Sequence, residues 1–277
     1  MLNRFDKKLS AAIVLYENDP DSLLKTINDA LNCAVIERLF LIDNSKTNRL
    51  EKLVSQQPSI SYYFQNANLG FGKAHNIAFE KAISEGFNYH LILNPDIQFS
   101  NQVCEQLIAY LGKHSDTGLI MPKILNFDGS NQFLPKLLPS IFSQIIRMFG
   151  FLKNTFKTSY ENYVLQAFEN QIANVPIISG CFCIYNLSIF NKIGGFDERF
   201  FMYCEDFDLS RRVHKHYKTI YYPNVSVYHG YEKASRKSFK LLKIHIQSII
   251  KYYNKYGWFF DSDRVNINKL VLSQFKK

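Results

Sequence analysis

Three carboxylates stand within four residues at Glu205-Asp206-Phe207-Asp208, just ahead of the basic pair Arg211-Arg212. Acidic side chains are favoured in the first turn of a helix by its macrodipole, and Asp208 has an arginine at helical spacing on either count. Those roles account for two of the three; the third can serve as a general base at the mouth of a sheet. Earlier in the chain, Asn94-Pro95-Asp96 closes an apolar run. A carboxylate there can hold Mg2+ or Mn2+ bridging two phosphates, because hard cations take oxygen ligands. Asn68-Leu69-Gly70-Phe71-Gly72-Lys73-Ala74-His75-Asn76 places two glycines around an aromatic before a predicted helix. Such a loop allows backbone to approach a ligand closely, with phosphate favoured at the helix start. It is neither Gly-x-Gly-x-x-Gly nor a P-loop, and a tight strand-to-helix turn explains it equally well. Asp43 ends another apolar run, where a turn-forming role competes with a ligand-binding one.

The elements around these residues alternate. Residues 9–16 form a continuous apolar run, as expected of a strand covered on both faces. Asp19-Pro20 signals a helix start, and Leu23, Leu24, Ile27, Ala30 and Leu31 repeat at helical spacing. Strands are predicted at 39–42, 60–64 and 89–93, with a helix at 75–84. This βαβα order implies a mostly parallel sheet with right-handed crossovers. Ligands bind beyond the carboxyl ends of such strands, and Asp43 and Asp96 both fall there. Further on, the sequence predicts a helix through Val103, Leu107, Ile108 and Leu111, a short strand at 119–121 and a hairpin turn at Asp128-Gly129. Over residues 138–152, Leu138, Ile141, Phe142, Ile145, Ile146, Phe149 and Leu152 make an apolar stripe edged by Lys136, Lys153 and Lys157. It reads as a core-facing helix or as one lying on an anionic membrane. Residues 171–191 carry no charge, but interspersed Asn, Pro, Ser and Gly make them a loop, a buried strand and a turn rather than a membrane span.

The whole chain has 277 residues, 47% hydrophobic and 15% aromatic, which excludes a disordered protein. A formal charge of +9 concentrates around residues 211–218 and 237–255 and can attract phosphates or lipid headgroups; no nucleic-acid-reading motif accompanies it. Five cysteines without a Cys-x-x-Cys pair argue against a disulfide framework or a zinc ribbon and for free thiols in a reducing cytosol.

Taken in order, Ile13-Val14-Leu15-Tyr16, Leu41-Ile42-Asp43-Asn44-Ser45, Asn68-x-Gly-Phe-Gly-x-x-x-Asn76, Leu93-Asn94-Pro95-Asp96, Ser179-Gly180, Gly194-Gly195-Phe196-Asp197-Glu198 and Glu205-Asp206-x-Asp208 resemble the family-2 glycosyltransferases of the GT-A fold. The likeness is strongest to bacterial rhamnosyltransferase-like enzymes of O-antigen and capsule assembly, and covers roughly residues 9–230. It implies an α/β fold with a Rossmann-like, mostly parallel central sheet: a GT-A domain over 1–235 and a helical extension over 236–277 packed on it. It implies that Asp206 is the catalytic base, and that Asp43 binds the pyrimidine of a nucleotide-sugar donor. Asn68, Gly70 and Asn76 would shape the nucleotide and phosphate pocket. Asp96 would hold the divalent metal, with His229 of Val227-Tyr228-His229-Gly230 as a further ligand; a strand-end histidine is the competing reading there. Asn94 stands where the family's Asp-x-Asp motif has its first carboxylate, so metal binding through Mg2+ or Mn2+ should lean more on substrate. The implied donor is dTDP-rhamnose or a UDP-sugar, and the implied acceptor a glycan on a polyprenyl diphosphate. The expected place is the cytoplasm, peripheral on the inner face of the membrane. Two alternatives stand beside this: a sugar nucleotidyltransferase, which normally carries a Gly-rich basic loop where this chain has Glu17-Asn18-Asp19-Pro20, and a non-catalytic glycan- or membrane-binding module.

Overall fold

The computed structural model describes residues 8–54, 56–230 and 238–274. The expected boundary between 235 and 236 lies outside the described residues.

Nine strands form one sheet: β1 Leu9–Leu15, β2 Ile36–Asp43, β3 Ile60–Phe64, β4 Tyr89–Leu93, β5 Ile97–Gln98, β6 Thr117–Leu125, β7 Ala173–Asn174, β8 Phe182–Asn186 and β9 Lys218–His229. The order is β3-β2-β1-β4-β8-β6-β9-β5, with β7 on β9. The β3-β2-β1-β4 block and the β6–β9 pair are parallel; the antiparallel ladders span only two to five residues each. β4 is buried along its whole length, as a strand covered on both faces must be. Chain order reverses at β1, which lies between β2 and β4, and this is where an open sheet offers its crevice.

The helices are α1 Pro20–Asn32, α2 Glu51–Val54, α3 Phe71–Ser84, α4 Asn101–Lys113, α5 Ile141–Met148, α6 Leu152–Thr155, α7 Lys157–Tyr163, α8 Phe190–Ile193, α9 Glu205–His214, α10 Phe239–Tyr256 and α11 Ser262–Ser273. Asp19 caps α1 by accepting from Ser22 N at 2.9 Å. Two apolar clusters result. The larger surrounds the sheet. The smaller, built from Leu138, Ile177, Phe200, Cys204, Phe207, Tyr252 and Tyr253, seats α10 against α9. Asp208 is fully buried and joins the same two helices, taking Arg212 Nε at 2.8 Å, Tyr256 Oη at 2.6 Å and the Lys255 ammonium. Arg211 forms a bidentate pair with Asp261, both contacts 2.7 Å.

Several local expectations change. The helix expected over 138–152 is shorter, because Ser140 closes a capping box with Ser143 and the helix ends at Met148. Its stripe is also split: Ile146 and the polar Gln144 are buried while Phe142, Ile145 and Met148 are exposed. The turn at Asp128-Gly129 forms, but one bridge, Leu125 to Asn131, follows it in place of a hairpin. The basic run 211–218 is largely spent on ion pairs, with Lys215 on Asp263 and Lys218 on Asp116 besides the two arginines. All five cysteines are buried free thiols.

Candidate active site

Asp43 and Asp96 lie at the carboxyl edge of the parallel block, two strands apart, roughly 10 Å at ordinary strand spacing. Asp43 is fully buried, accepting from Ser45 N at 2.8 Å and from the Tyr62 hydroxyl. Burial and the Asp43 charge push the Tyr62 phenol up, so it remains a donor. A carboxylate has about four acceptor positions, of which Ser45 N and the Tyr62 hydroxyl take two.

The turn carrying Asp96 is fixed by α1: the Thr26 hydroxyl donates to both Pro95 O and Ile97 O at 2.8 Å. Asp96 Oδ1 lies 3.4 Å from His229 Nε2, and Asn94 Nδ2 lies 3.5 Å from the same nitrogen. On the other side of the ring, His229 Nδ1 is 3.0 Å from Gln132 Oε1, while Gln132 Nε2 donates to His229 O at 3.0 Å. Gln132 accepts there, so Nδ1 carries a proton and Nε2 is the nitrogen that faces Asp96. A metal-binding imidazole is arranged in this way, with one nitrogen held by an outer partner and the other turned to the site. Among the described residues no cluster of three or more His, Cys, Asp or Glu is arranged to hold a metal. Asp96 and His229 therefore fit a cation that completes its shell with substrate oxygens, as Mg2+ commonly does, and do not make a closed structural site.

The 68–76 loop is spent on protein packing. Gly70 has φ +84°, and a Cβ there would stand 2.2 Å from Phe201 O. Asn68 Oδ1 accepts from Gly70 N at 3.0 Å, and Asn44 Nδ2 donates to Gly70 O at 3.1 Å, tying the loop to the residue after Asp43. Gly72 makes room for Phe196, whose Cβ would stand 2.8 Å from an added Cβ. Asn76 is turned to the 195–198 loop: its Oδ1 accepts from Phe196 N at 2.8 Å and its Nδ2 donates to Phe196 O at 2.9 Å.

Asp206 is in the first turn of α9, reached through two consecutive non-glycine residues in left-handed conformation, Tyr203 (φ 70°) and Cys204 (φ 64°). Such residues cost roughly 1–3 kcal/mol each and persist only where surroundings impose them. Here α10 does so: Ser248 Oγ donates to Met202 O at 2.8 Å, and the His245 ring packs on Tyr203. The half-buried Asp206 carboxylate accepts from Phe207 N at 2.9 Å and from Gly180 N at 3.5 Å. Burial pushes its carboxyl up, against the pull of the Lys136 ammonium, those two amides and the Arg147 guanidinium. A raised carboxylate is a stronger base. Its neighbour Glu205 is buried, with Oε2 lacking a hydrogen-bond partner among the described residues; burial and the Asp206 charge drive it well up, so it stays protonated. The 180–181 segment joins the two sides: Gly180 N reaches Asp206 Oδ2 at 3.5 Å, and Cys181 O accepts from the backbone N of Asn94, two residues before Asp96, at 2.8 Å.

Tyr62, Gln132, Lys136 and Arg147 were not singled out as site residues from sequence. Lys136 and Arg147 had a signal only as the basic edge and the narrow polar face of the 138–152 stripe; Tyr62 and Gln132 are brought in by contacts 19 and 97 residues long.

An α/β sheet with its crevice at the strand-order reversal, a carboxylate–imidazole pair at one edge and a partly buried carboxylate in the first turn of α9 describe a fold of the GT-A type. Residues 10–194 match the model of glycosyl transferase family 2, and the chain belongs to that family. Among curated relatives, an N-acetylglucosaminyl-diphospho-decaprenol L-rhamnosyltransferase of Mycobacterium tuberculosis is 28% identical over 205 residues, 69% of this chain and 66% of the relative. The chain thus spans just under two thirds of that protein. Rhamnosyltransferase WbbL of Escherichia coli K12 is 24% identical over 256 residues, 87% of this chain and 91% of the relative. The fold matches a Pyrobaculum calidifontis mannosyltransferase solved with GDP-Man and Mn2+, with TM-score 0.62 and 13% identity over 91% of this chain and 65% of that one. Among the described residues no helix is long and apolar enough to cross a membrane.

Proposed function

We propose that the chain is an inverting glycosyltransferase moving a sugar, rhamnose by analogy with its relatives, from a nucleoside diphosphate to a lipid-linked glycan in surface polysaccharide synthesis. The observation that carries this is the position of Asp206, a raised carboxylate at a strained helix start, 3.5 Å from Gly180 N, next to Cys181, whose carbonyl binds the Asn94 backbone ahead of Asp96. In this reading the acceptor hydroxyl attacks the anomeric carbon opposite the leaving diphosphate, and Asp206 takes the hydroxyl proton as the bond forms. Gly180 N and Phe207 N hold the carboxylate in place. Asp43 and the Asn44–Gly70 contact position the pyrimidine end of a dTDP- or UDP-linked donor. Asp96 and His229 would hold Mg2+ or Mn2+, which would offset charge on the diphosphate. Peripheral membrane contact is supported by exposed Phe142, Phe149 and Phe151 beside Lys153 and Lys157, a pairing suited to anionic lipid; failure to float with anionic vesicles would count against it.

Asp206→Asn keeps the shape and removes the base. It should lower kcat by about 10²- to 10⁴-fold with a nucleotide-sugar donor and a diphosphate-linked acceptor, while calorimetry still detects donor binding. Near-normal turnover in the variant would remove Asp206 from the mechanism; no transfer by the wild type would favour the non-catalytic module.

A further inference from the structure

The turn between α10 and α11 carries Trp258, Phe259 and Phe260, and the last two stand 75% and 95% exposed. The backbone beneath them is fixed. Gly257 enters the turn at φ +101°, where an added Cβ would meet Phe260 O at 2.5 Å, so the chain folds back closely on itself. On the far side Asp261 accepts from Arg264 N at 2.9 Å and pairs with Arg211, and Arg264 Nη2 donates to Phe259 O at 3.0 Å. Large apolar side chains held outward on a pinned turn mark a contact surface.

One side of α10 continues the patch. Phe239, Ile246 and Ile250 recur at i, i+7 and i+11, and all three are exposed. Trp258 extends their line past the helix end. Its ring packs on Tyr253 at 5.4 Å and its Nε1 donates to Asn254 Oδ1 at 2.8 Å, the two residues one turn beyond Ile250.

Charge indicates what covers this surface. From residue 233 to Phe260 the sequence has seven Lys or Arg and no Asp or Glu. Lys251 and Lys255 turn inward, to Arg199 O at 2.6 Å and to Asp197 at 2.8 Å. Lys240 and Lys243 stand exposed, and Lys243 is one turn from both Phe239 and Ile246. A second copy on this face would set like charge against like, because a two-fold interface pairs a patch with its own image. An anionic bilayer accepts both features: lysines at the headgroups, and aromatic rings at the boundary with hydrocarbon. Resting on the peripheral contact read above, and placing it on a further surface, we propose that the outer edge of α10 and the Trp258–Phe260 corner enter an anionic bilayer surface. The inner side of α10 braces Met202 and Tyr203 ahead of Asp206, so one helix joins the bilayer to that corner.

Trp258 is the chain's single tryptophan, so its fluorescence reports on this corner alone. Vesicles of phosphatidylglycerol and phosphatidylethanolamine should shift its emission to the blue, and lipids brominated in the upper acyl chain should quench it. Phe259→Ser and Phe260→Ser, both at exposed positions, should each lower partitioning onto these vesicles about 10-fold. Lys240→Gln and Lys243→Gln should each lower it about fivefold. Flotation with the vesicles while Trp258 emission and the four variants stay unchanged would leave a peripheral contact standing and overturn its placement here. No flotation at all would overturn both. Self-association that rises with protein concentration and is lost in Phe260→Ser would assign the corner to a second copy and overturn the proposal as well.

Discussion

Asp96 is held by its own turn and by one hydroxyl of α1, that of Thr26, which contacts Pro95 O and Ile97 O. Asp206 is held by amides at 180 and 207, approached by cations at 136 and 147, and delivered through a left-handed corner that α10 braces. The first arrangement is what the edge of any parallel sheet supplies. The second concentrates unfavourable features: backbone strain, like charges in proximity, and two adjacent carboxyls of which one is kept protonated. A ligand-holding carboxylate can rest on local geometry. In the role proposed for Asp206, a partly desolvated base needs stability imported from elsewhere, and the contacts of α10 and α11 supply it.

Cutting that import should produce the largest stability effect. Asp261→Asn leaves the Arg211 guanidinium, 7% exposed, without its carboxylate. Breaking such a buried pair costs about 3–5 kcal/mol. The control belongs to the nucleotide side: Glu85→Gln removes a half-exposed pair with Arg38 and should cost no more than about 1 kcal/mol. Urea unfolding measures both. Equal small costs would mean that the base side does not depend on α11, and the contrast between the two halves would fail.

A smaller effect probes the metal side, where one long-range contact does matter. Gln132→Leu removes the acceptor that fixes the His229 tautomer. Loss of an outer partner of this kind weakens metal binding about 10- to 100-fold. Gln132→Glu keeps an acceptor for Nδ1–H and should restore much of the affinity. Mn2+ titration in the presence of a nucleoside diphosphate reads the change; identical behaviour of the two variants would show that Gln132 does not orient the ring.

The same asymmetry decides what could be read beforehand. The parallel block, the capped α1 and the edge positions of Asp43 and Asp96 follow from apolar runs and turn residues adjacent in sequence. The glycines of the 68–76 loop were legible as special, but their purpose was not: close approach to Phe201 and Phe196 comes from a segment over 120 residues away. Gln132 sits beside a turn, with nothing local to mark it as the partner of His229. Arg147 looks like one more cation on a narrow polar face until Gln144 and His245 aim it. Asp208, two residues from Asp206, shows the limit most clearly. The two are chemically the same side chain on the same helix; burial against Arg212, Lys255 and Tyr256 makes Asp208 a clamp, and no spacing rule distinguishes it from a base.

The buried histidines and the buried Glu205 should also give stability opposite pH slopes, with His214 and His245 of the base side, both pushed down to about 4 by burial, adding to the acid limb. On the nucleotide side, His75 and His90 are fully buried, and burial lowers both, His90 to about 3. They stay neutral in the fold but bind protons in the unfolded chain below its ordinary value near 6.5, so stability falls as pH drops through that value. Each should cost roughly 1 kcal/mol between pH 7 and 5.5. On the base side, Glu205 is raised, so the unfolded chain releases its proton first; stability is full below about 4.5 and declines as pH rises, until the folded carboxyl ionises. Above pH 7 the histidine contribution is flat and the Glu205 slope remains, at most about 1.4 kcal/mol per unit. Urea unfolding at pH 5.5, 7 and 8.5 should therefore show an optimum near neutrality. His90→Gln should flatten the acid limb without altering the alkaline one. Glu205→Gln, the neutral match of the protonated acid, should flatten the alkaline limb and gain on the wild type as pH rises. An alkaline limb unchanged by Glu205→Gln would mean that Glu205 ionises in the fold, and that the first turn of α9 carries two negative charges beside Lys136 and Arg147.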